Sequence, residues 1–168
     1  MRISRRSTER ASTLIEGTIA AAIAALFLSS LFTMNTSTMQ TIKIAREAAC
    51  ASQVLQQRIE SLRIANWHQV TDASWLQANL LNADASGSNG LKNCSETITL
   101  IPYGSASTST TQLTRASGSC VIVTQNPSLL TENAVKVIWA VNFTGAPNDR
   151  SMSRQTVAIL AKGGVAKW

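Results

Sequence analysis

The stretch that decides the reading is Ala11-Ser12-Thr13-Leu14-Ile15-Glu16, which runs without interruption into the apolar segment Gly17 to Met34. Arg2, Arg5, Arg6 and Arg10 precede it, and from Thr13 to Met34 the only charge is Glu16. About 20 apolar residues at a rise of 1.5 Å span roughly 30 Å, the thickness of a bilayer core. The leader, residues 1 to 11, carries four arginines against Glu9, so half of the chain's net charge of +6 sits there. Placed ahead of an apolar helix, that charge reads as a signal holding the leader in the cytoplasm. A secretory signal peptide shares the basic start. Here the apolar block is longer than usual, a glutamate opens it, and Met34 to Thr38 offers only a weak cleavage match.

Working outward, the apolar block is rich in small residues. Ala20, Ala21, Ala22, Ala24 and Ala25 alternate with Ile19, Ile23, Leu26, Phe27, Leu28, Leu31 and Phe32. Small side chains let neighbouring helices approach closely, so the segment suits both lipid and copies of itself. Asn35 to Thr38 is a short run of poor helix formers where the helix is expected to loosen without ending. From 39 to 66 a helical pattern resumes. Ile44, Ala48, Ala51, Leu55, Ile59 and Leu62 recur at steps of three and four, giving one apolar stripe fit to cover a sheet. Gln53, Gln56, Gln57, Glu60 and Arg63 lie off it.

Asp84 to Gly90 is a loop by composition. Four strands are expected after it: Ser95 to Ile101, Cys120 to Thr124, Val135 to Phe143 and Gln155 to Ala161. Ser105 to Thr111 serves as a long loop between the first two. Strands of this length joined by turns suggest an antiparallel meander, spanning about 95 to 161. One helix ahead of one sheet makes an α+β domain.

The remaining chemistry is sparse. The basic residues beyond the leader are scattered, with no stripe that would track phosphates, so no nucleic-acid partner is indicated. Cys50, Cys94, Cys120 and the single His68 lack the spacing of a zinc site, and no metal or cofactor is expected. A disulfide between Cys94 and Cys120, which flank expected strands, stands beside the alternative of three free thiols packed as small apolar residues. His68 and Asp72 are four apart, but no nucleophile motif accompanies them, and no enzyme is read here. Trp67 and Trp139 sit in patterned surroundings and are expected in the core. Asn142-Phe143-Thr144 matches a glycosylation sequon. Glu16 carries the most information: a carboxylate at mid-bilayer costs up to about 3 kcal/mol, and less near the surface.

The leader, the small residue Ala11, the run Thr13-Leu14-Ile15-Glu16 and the apolar helix together resemble the N-terminus of type IV pilins and of the pseudopilins of type II secretion. Ala11 stands where the family usually has glycine, and Ser12 where it usually has phenylalanine. Ala51 to Arg63 is similar to the corresponding helix of minor members. The resemblance implies a pilin-like fold: a long N-terminal helix, transmembrane in its first half, packed on the sheet. It also implies cleavage between Ala11 and Ser12 by a prepilin peptidase, and N-methylation of Ser12. Residues 12–34 would then form the transmembrane and assembly helix, and 35–168 a periplasmic domain. Glu16 would guide insertion by facing the amino terminus of a neighbouring subunit. The implied partners are other pilin or pseudopilin subunits, an inner-membrane assembly platform and the inner membrane itself, which holds the chain before it enters the pilus or pseudopilus. The competing expectation is a periplasmic binding or scaffold protein on an uncleaved anchor.

Overall fold

The structure is a computed structural model that describes residues 5–85, 87–146 and 149–163, with side chains from 14 onward. It is α+β: one long N-terminal helix and one antiparallel sheet. Helix α1 (Arg5–Ile64) runs for 60 residues. It does not break at Asn35 to Thr38. Thr33, Thr36, Thr38 and Thr41 turn their hydroxyls back onto carbonyls three or four residues earlier, at 2.8–3.2 Å. That arrangement satisfies the side chains without leaving the helix.

The chain divides into two units, residues 1–42 and 43–168. In the first, every described side chain is exposed, including Leu26, Phe27, Phe32 and Met34, which are 69–72% accessible. This helix, read from Leu14, is long and apolar enough to cross a membrane.

In the second unit, the expected stripe is buried from its third member on: Ala51, Leu55, Ile59 and Leu62 are in the core, Ile44 and Ala48 are half-buried, and Val54, which the stripe did not include, joins the core beside them. Each larger aliphatic side chain contributes about 1.5–3 kcal/mol when removed from water. After Ile64, Asn66 caps α2 (Trp67–Thr71) in a reciprocal box with Gln69. Asp72 caps α3 (Ala73–Trp75), which continues as a π-helical turn, Leu76–Leu81. Leu76, Leu80 and Leu81 close one side of the core.

The sheet has five strands, not four: β1 (Lys92–Pro102), β2 (Thr111–Ala116), β3 (Ser119–Thr124), β4 (Ala134–Gly145) and β5 (Arg150–Ala161). The strand absent from the sequence reading is β2. Its inward positions are Thr111, Leu113 and Arg115, so the apolar alternation that marks a half-buried strand is hidden by a threonine and an arginine. Ser117 and Gly118 both take positive φ (51° and 81°) and join Ala116 to Ser119 in a two-residue hairpin. Turns of that hand match the right-handed twist of the strands they connect.

The order β3-β2-β1-β4-β5 also corrects the meander. β4 pairs with β1 rather than β3, placing β1 at the centre, with Ile98 opposite both Leu113 and Trp139. The core-facing side carries Ile98, Leu100, Val135, Val137, Trp139, Val141 and Phe143. The other side carries Thr97, Thr99, Ile101, Ile138 and Ala140, which keep partial exposure. Trp139 is fully buried, and Trp67 packs half-buried against the core while its Nε1 donates to the Leu130 carbonyl at 3.1 Å.

Candidate functional site

Two regions carry chemistry. The first is the start of the apolar helix. Glu16 is exposed, one turn from Thr13 and flanked by Leu14 and Ile15, which are themselves 69% and 57% accessible. Thr18 turns its hydroxyl onto the Ile15 carbonyl at 2.8 Å, so it does not compete for the glutamate. The carboxylate therefore stands on an apolar helix surface with no intramolecular cation against it among the described residues. Ala11, Ser12 and Thr13 fall within the helical backbone, but their side chains lie outside the described set.

The second region was missed by the sequence reading. It is a buried ionic cluster where α1 meets the sheet. Glu96 of β1 is 0% exposed. Arg58 of α1 grips it with two hydrogen bonds, Nε to Oε2 and Nη2 to Oε1, both 2.8 Å. Arg115 of β2 approaches the same Oε1 at 3.5 Å and also pairs with Asp84. Arg58 further donates to the carbonyls of Leu80 and Ala83, just where the π-helical turn ends and its last carbonyls lack helical partners. A cation belongs at that end of a helix. The guanidinium also lies 5.9 Å from the centroid of the Trp139 ring.

Two cations and two carboxylates thus neutralise one another, joining α1, β1, β2 and the segment at Leu80 to Asp84. Planar guanidinium and planar carboxylate favour this paired geometry over a lysine contact. Among the described residues, the four charged groups are occupied with one another and with the Leu80 and Ala83 carbonyls. Its chemistry is that of a fastener.

A second polar tie joins α1 to the β4–β5 turn. Glu47, 8% exposed, accepts a hydrogen bond from the Ala146 amide at 3.0 Å. Gly145 leaves room there: a Cβ would meet Met152 Sδ and stand 3.0 Å from the Glu47 carboxylate, so both side chains would have to shift. Lys92 pairs with Asp149 at 2.8 Å on the same turn, and that hydrogen bond holds the Asp149 carboxyl below its ordinary range. The sequence did offer a signal for these ties. Glu47 and Arg58 fall on the apolar stripe, at the step-of-three-and-four positions between Ile44 and Leu62.

The cysteines do not form the Cys94–Cys120 disulfide. All three are free. Cys120 pairs across β2 with Arg115, which pairs with Glu96 of β1, so β2 lies between the two cysteine-bearing strands. Two strand spacings amount to about 9–10 Å, beyond the Cα separation a disulfide bridges. Burial pushes both thiols above their ordinary value, with the Glu96 carboxylate adding to the effect and Arg115 opposing it.

The weaker sequence candidates resolve as structural features. Asp72 accepts from the Ser74 amide as a cap, while His68 is exposed, and no hydrogen bond joins the two. Asn142 lies mid-strand, paired with Ser95 and Ser153, rather than in a loop. No group of three His, Cys, Asp or Glu side chains among the described residues is placed to hold a metal. No protein-family model matches the chain, and no curated protein or solved structure matches it significantly.

Proposed function

We propose that the chain is a minor pilin-like structural subunit of a type IV pilus or type II secretion pseudopilus. The observation that carries the reading is Glu16 at the head of a fully exposed apolar helix, directly behind Thr13-Leu14-Ile15 and the basic leader. An exposed surface of Leu, Ile and Phe over this length needs lipid or protein around it. Before assembly the bilayer supplies it. After assembly, the like helices of neighbouring subunits would, with the alanines of residues 20–25 permitting close approach.

In this reading a prepilin peptidase cuts between Ala11 and Ser12, and the new Ser12 amino group is methylated. Glu16, costly in lipid and without a cation against it among the described residues, pairs with the amino terminus of an adjacent subunit. Removing that charge from an apolar setting by pairing gives assembly a direction and a register. The helix face that covers the sheet supports the same fold reading, because it lets one element serve as both filament core and domain core. Catalysis has no part in it, and the energy for extraction would come from a separate motor.

Intact mass of the membrane-purified protein tests the proposal. A chain beginning at Ser12 with one added methyl is expected. Retention of residues 1–11 would mean a plain uncleaved anchor and a binding or scaffold protein instead. Glu16→Ala should be processed normally and yet be depleted from sheared filaments. Wild-type incorporation of that variant would remove the role given to Glu16.

A further inference from the structure

β5 is an outer strand. The order β3-β2-β1-β4-β5 leaves one edge of Arg150–Ala161 without a hydrogen-bonded neighbour among the described residues. Natural edges are usually blunted by charge, proline, bulges or brevity. β3, the opposite edge, is only six residues long and meets β2 with a register irregularity. β5 has twelve residues in unbroken register with β4, and Gln155 to Ala161 contains no charge, proline or glycine. Its backbone is an open template.

Both faces beside that edge are also uncovered. On the helix side a groove of about 330 Å³ runs between β5 and α1, with Leu55, Ile59 and Thr156 in its lining. On the other side Val157 and Ile159 are 51% and 52% exposed. Glu60 and Arg63 also line the groove but neutralise each other, so the net charge there comes from β5. Arg150 and Arg154 stand on the strand and Lys162 just past it, all exposed and in no ion pair among the described residues, while β5 has no acid. Arg150 and Arg154 share the parity of Met152 and Thr156, which places both on the groove side, about 13 Å apart.

We propose that the β5 edge is a docking site for an extended acidic segment of a partner protein, which adds to the sheet as a sixth strand. Backbone hydrogen bonds along β5 hold it. Two carboxylates four residues apart meet Arg150 and Arg154, and apolar side chains on its other face lie beside Val157 and Ile159. Strand addition of this kind draws affinity from the main chain and selectivity from alternate side chains. A second copy of this chain fits less well. Edge to edge, two β5 strands bring like cations together, and β3 offers no charge at all. The inference stands apart from the filament reading and needs no cleavage or assembly.

Fluorescence anisotropy on the full chain in detergent micelles tests it. The probe is a labelled peptide Val-Glu-Val-Thr-Val-Glu-Val-Thr-Val. Three controls accompany it: the same peptide with lysine for glutamate, the same peptide N-methylated at alternate amides, and the protein variant Arg150→Glu with Arg154→Glu. Saturable binding is expected for the glutamate peptide, weakened at least tenfold by the charge reversal and by N-methylation of the bonding edge, with no binding of the lysine peptide. Both substituted arginines are exposed, so the variant keeps the fold. No binding at millimolar peptide, or binding that survives either N-methylation or charge reversal, overturns the proposal. So does a concentration-dependent dimer that excludes the peptide, which would give the edge to a second copy.

Discussion

Replacing Arg58 with methionine isolates what the buried cluster does. Methionine keeps the apolar stem that α1 needs on its stripe and removes the charge. Glu96, fully buried, would lose both of its 2.8 Å hydrogen bonds and keep only the 3.5 Å approach of Arg115. The carbonyls of Leu80 and Ala83 would lose their donor at the same time. Breaking a buried pair from one side costs about 3–5 kcal/mol, because the remaining charge has no water to return to. For a folded unit of this size, each kcal/mol moves the midpoint of thermal unfolding by about 3–4 °C. A fall of roughly 9–20 °C is therefore expected, read by circular dichroism at the strand and helix bands in detergent.

The double variant Arg58→Met with Glu96→Met separates charge from shape. It leaves an apolar contact at the centre of the interface, and replacing a whole buried pair by apolar groups is often close to neutral. Arg115 retains Asp84, so the double variant should recover most of what the single one loses. A single variant within about 1 kcal/mol of wild type would refute the argument, since it would show that Glu96 finds solvent or Arg115 without Arg58. A double variant as unstable as the single would refute it differently, by showing that the arginine's ties to Leu80 and Ala83 are what matter.

The other expectations can be checked with simpler material. Gly145→Ala should destabilise by no more than about 1 kcal/mol, because the added methyl meets only the movable ends of Met152 and Glu47, and Met152→Ala should relieve part of it. Asn66→Ala should cost about 1 kcal/mol in chemical denaturation by removing the cap of α2. Denaturing alkylation followed by mass analysis should find three thiols, and two fewer would mean a bridge. In the folded protein Cys94 and Cys120 should react slowly at pH 8. Their folded values lie above the ordinary 9.0, so unfolded thiols ionise first; stability is intact below pH 9 and falls as pH rises through the folded values.

How much of this was legible follows the physics of each element. The apolar stripe Ala51 to Leu62 was readable because helical burial repeats at 3.6 residues, and four strands were readable because enough apolar residues alternate along them, as Ile98 and Leu100 do in β1 despite the inward Glu96. β2 was not, since Arg115 occupies an inward position and is acceptable there only through Glu96 and Asp84. That compensation comes from residues 19 and 31 positions away, and no local window contains it. The pairing of β4 with β1 was hidden for a related reason: a hairpin is announced by its turn, whereas a return to the central strand is decided by which neighbour buries Trp139 and Val137 best. Glu16 was legible because an isolated charge in an apolar run needs no partner to be conspicuous.

The two kinds of charge in this chain answer to opposite requirements. Glu16 has no cation against it among the described residues and lies on an exposed apolar surface, which leaves it open to a partner from a neighbouring subunit in the proposed assembly. Arg58, Glu96, Arg115 and Asp84 neutralise one another within it. Glu47 is likewise spent on the Ala146 amide. In a subunit whose helix is drawn from lipid into a filament, the stretch of α1 over the sheet must not slide when the stretch ahead of it changes partners. Apolar packing alone resists separation well and sliding poorly, because one Leu or Ile can replace the next along a stripe. A bidentate Arg58–Glu96 contact fixes a single register, since a shift of one residue would bury both charges unpaired. Placing the paired charges on the segment that must hold, and the unpaired one on the segment that must find a neighbour, is the division of labour that the proposed assembly requires.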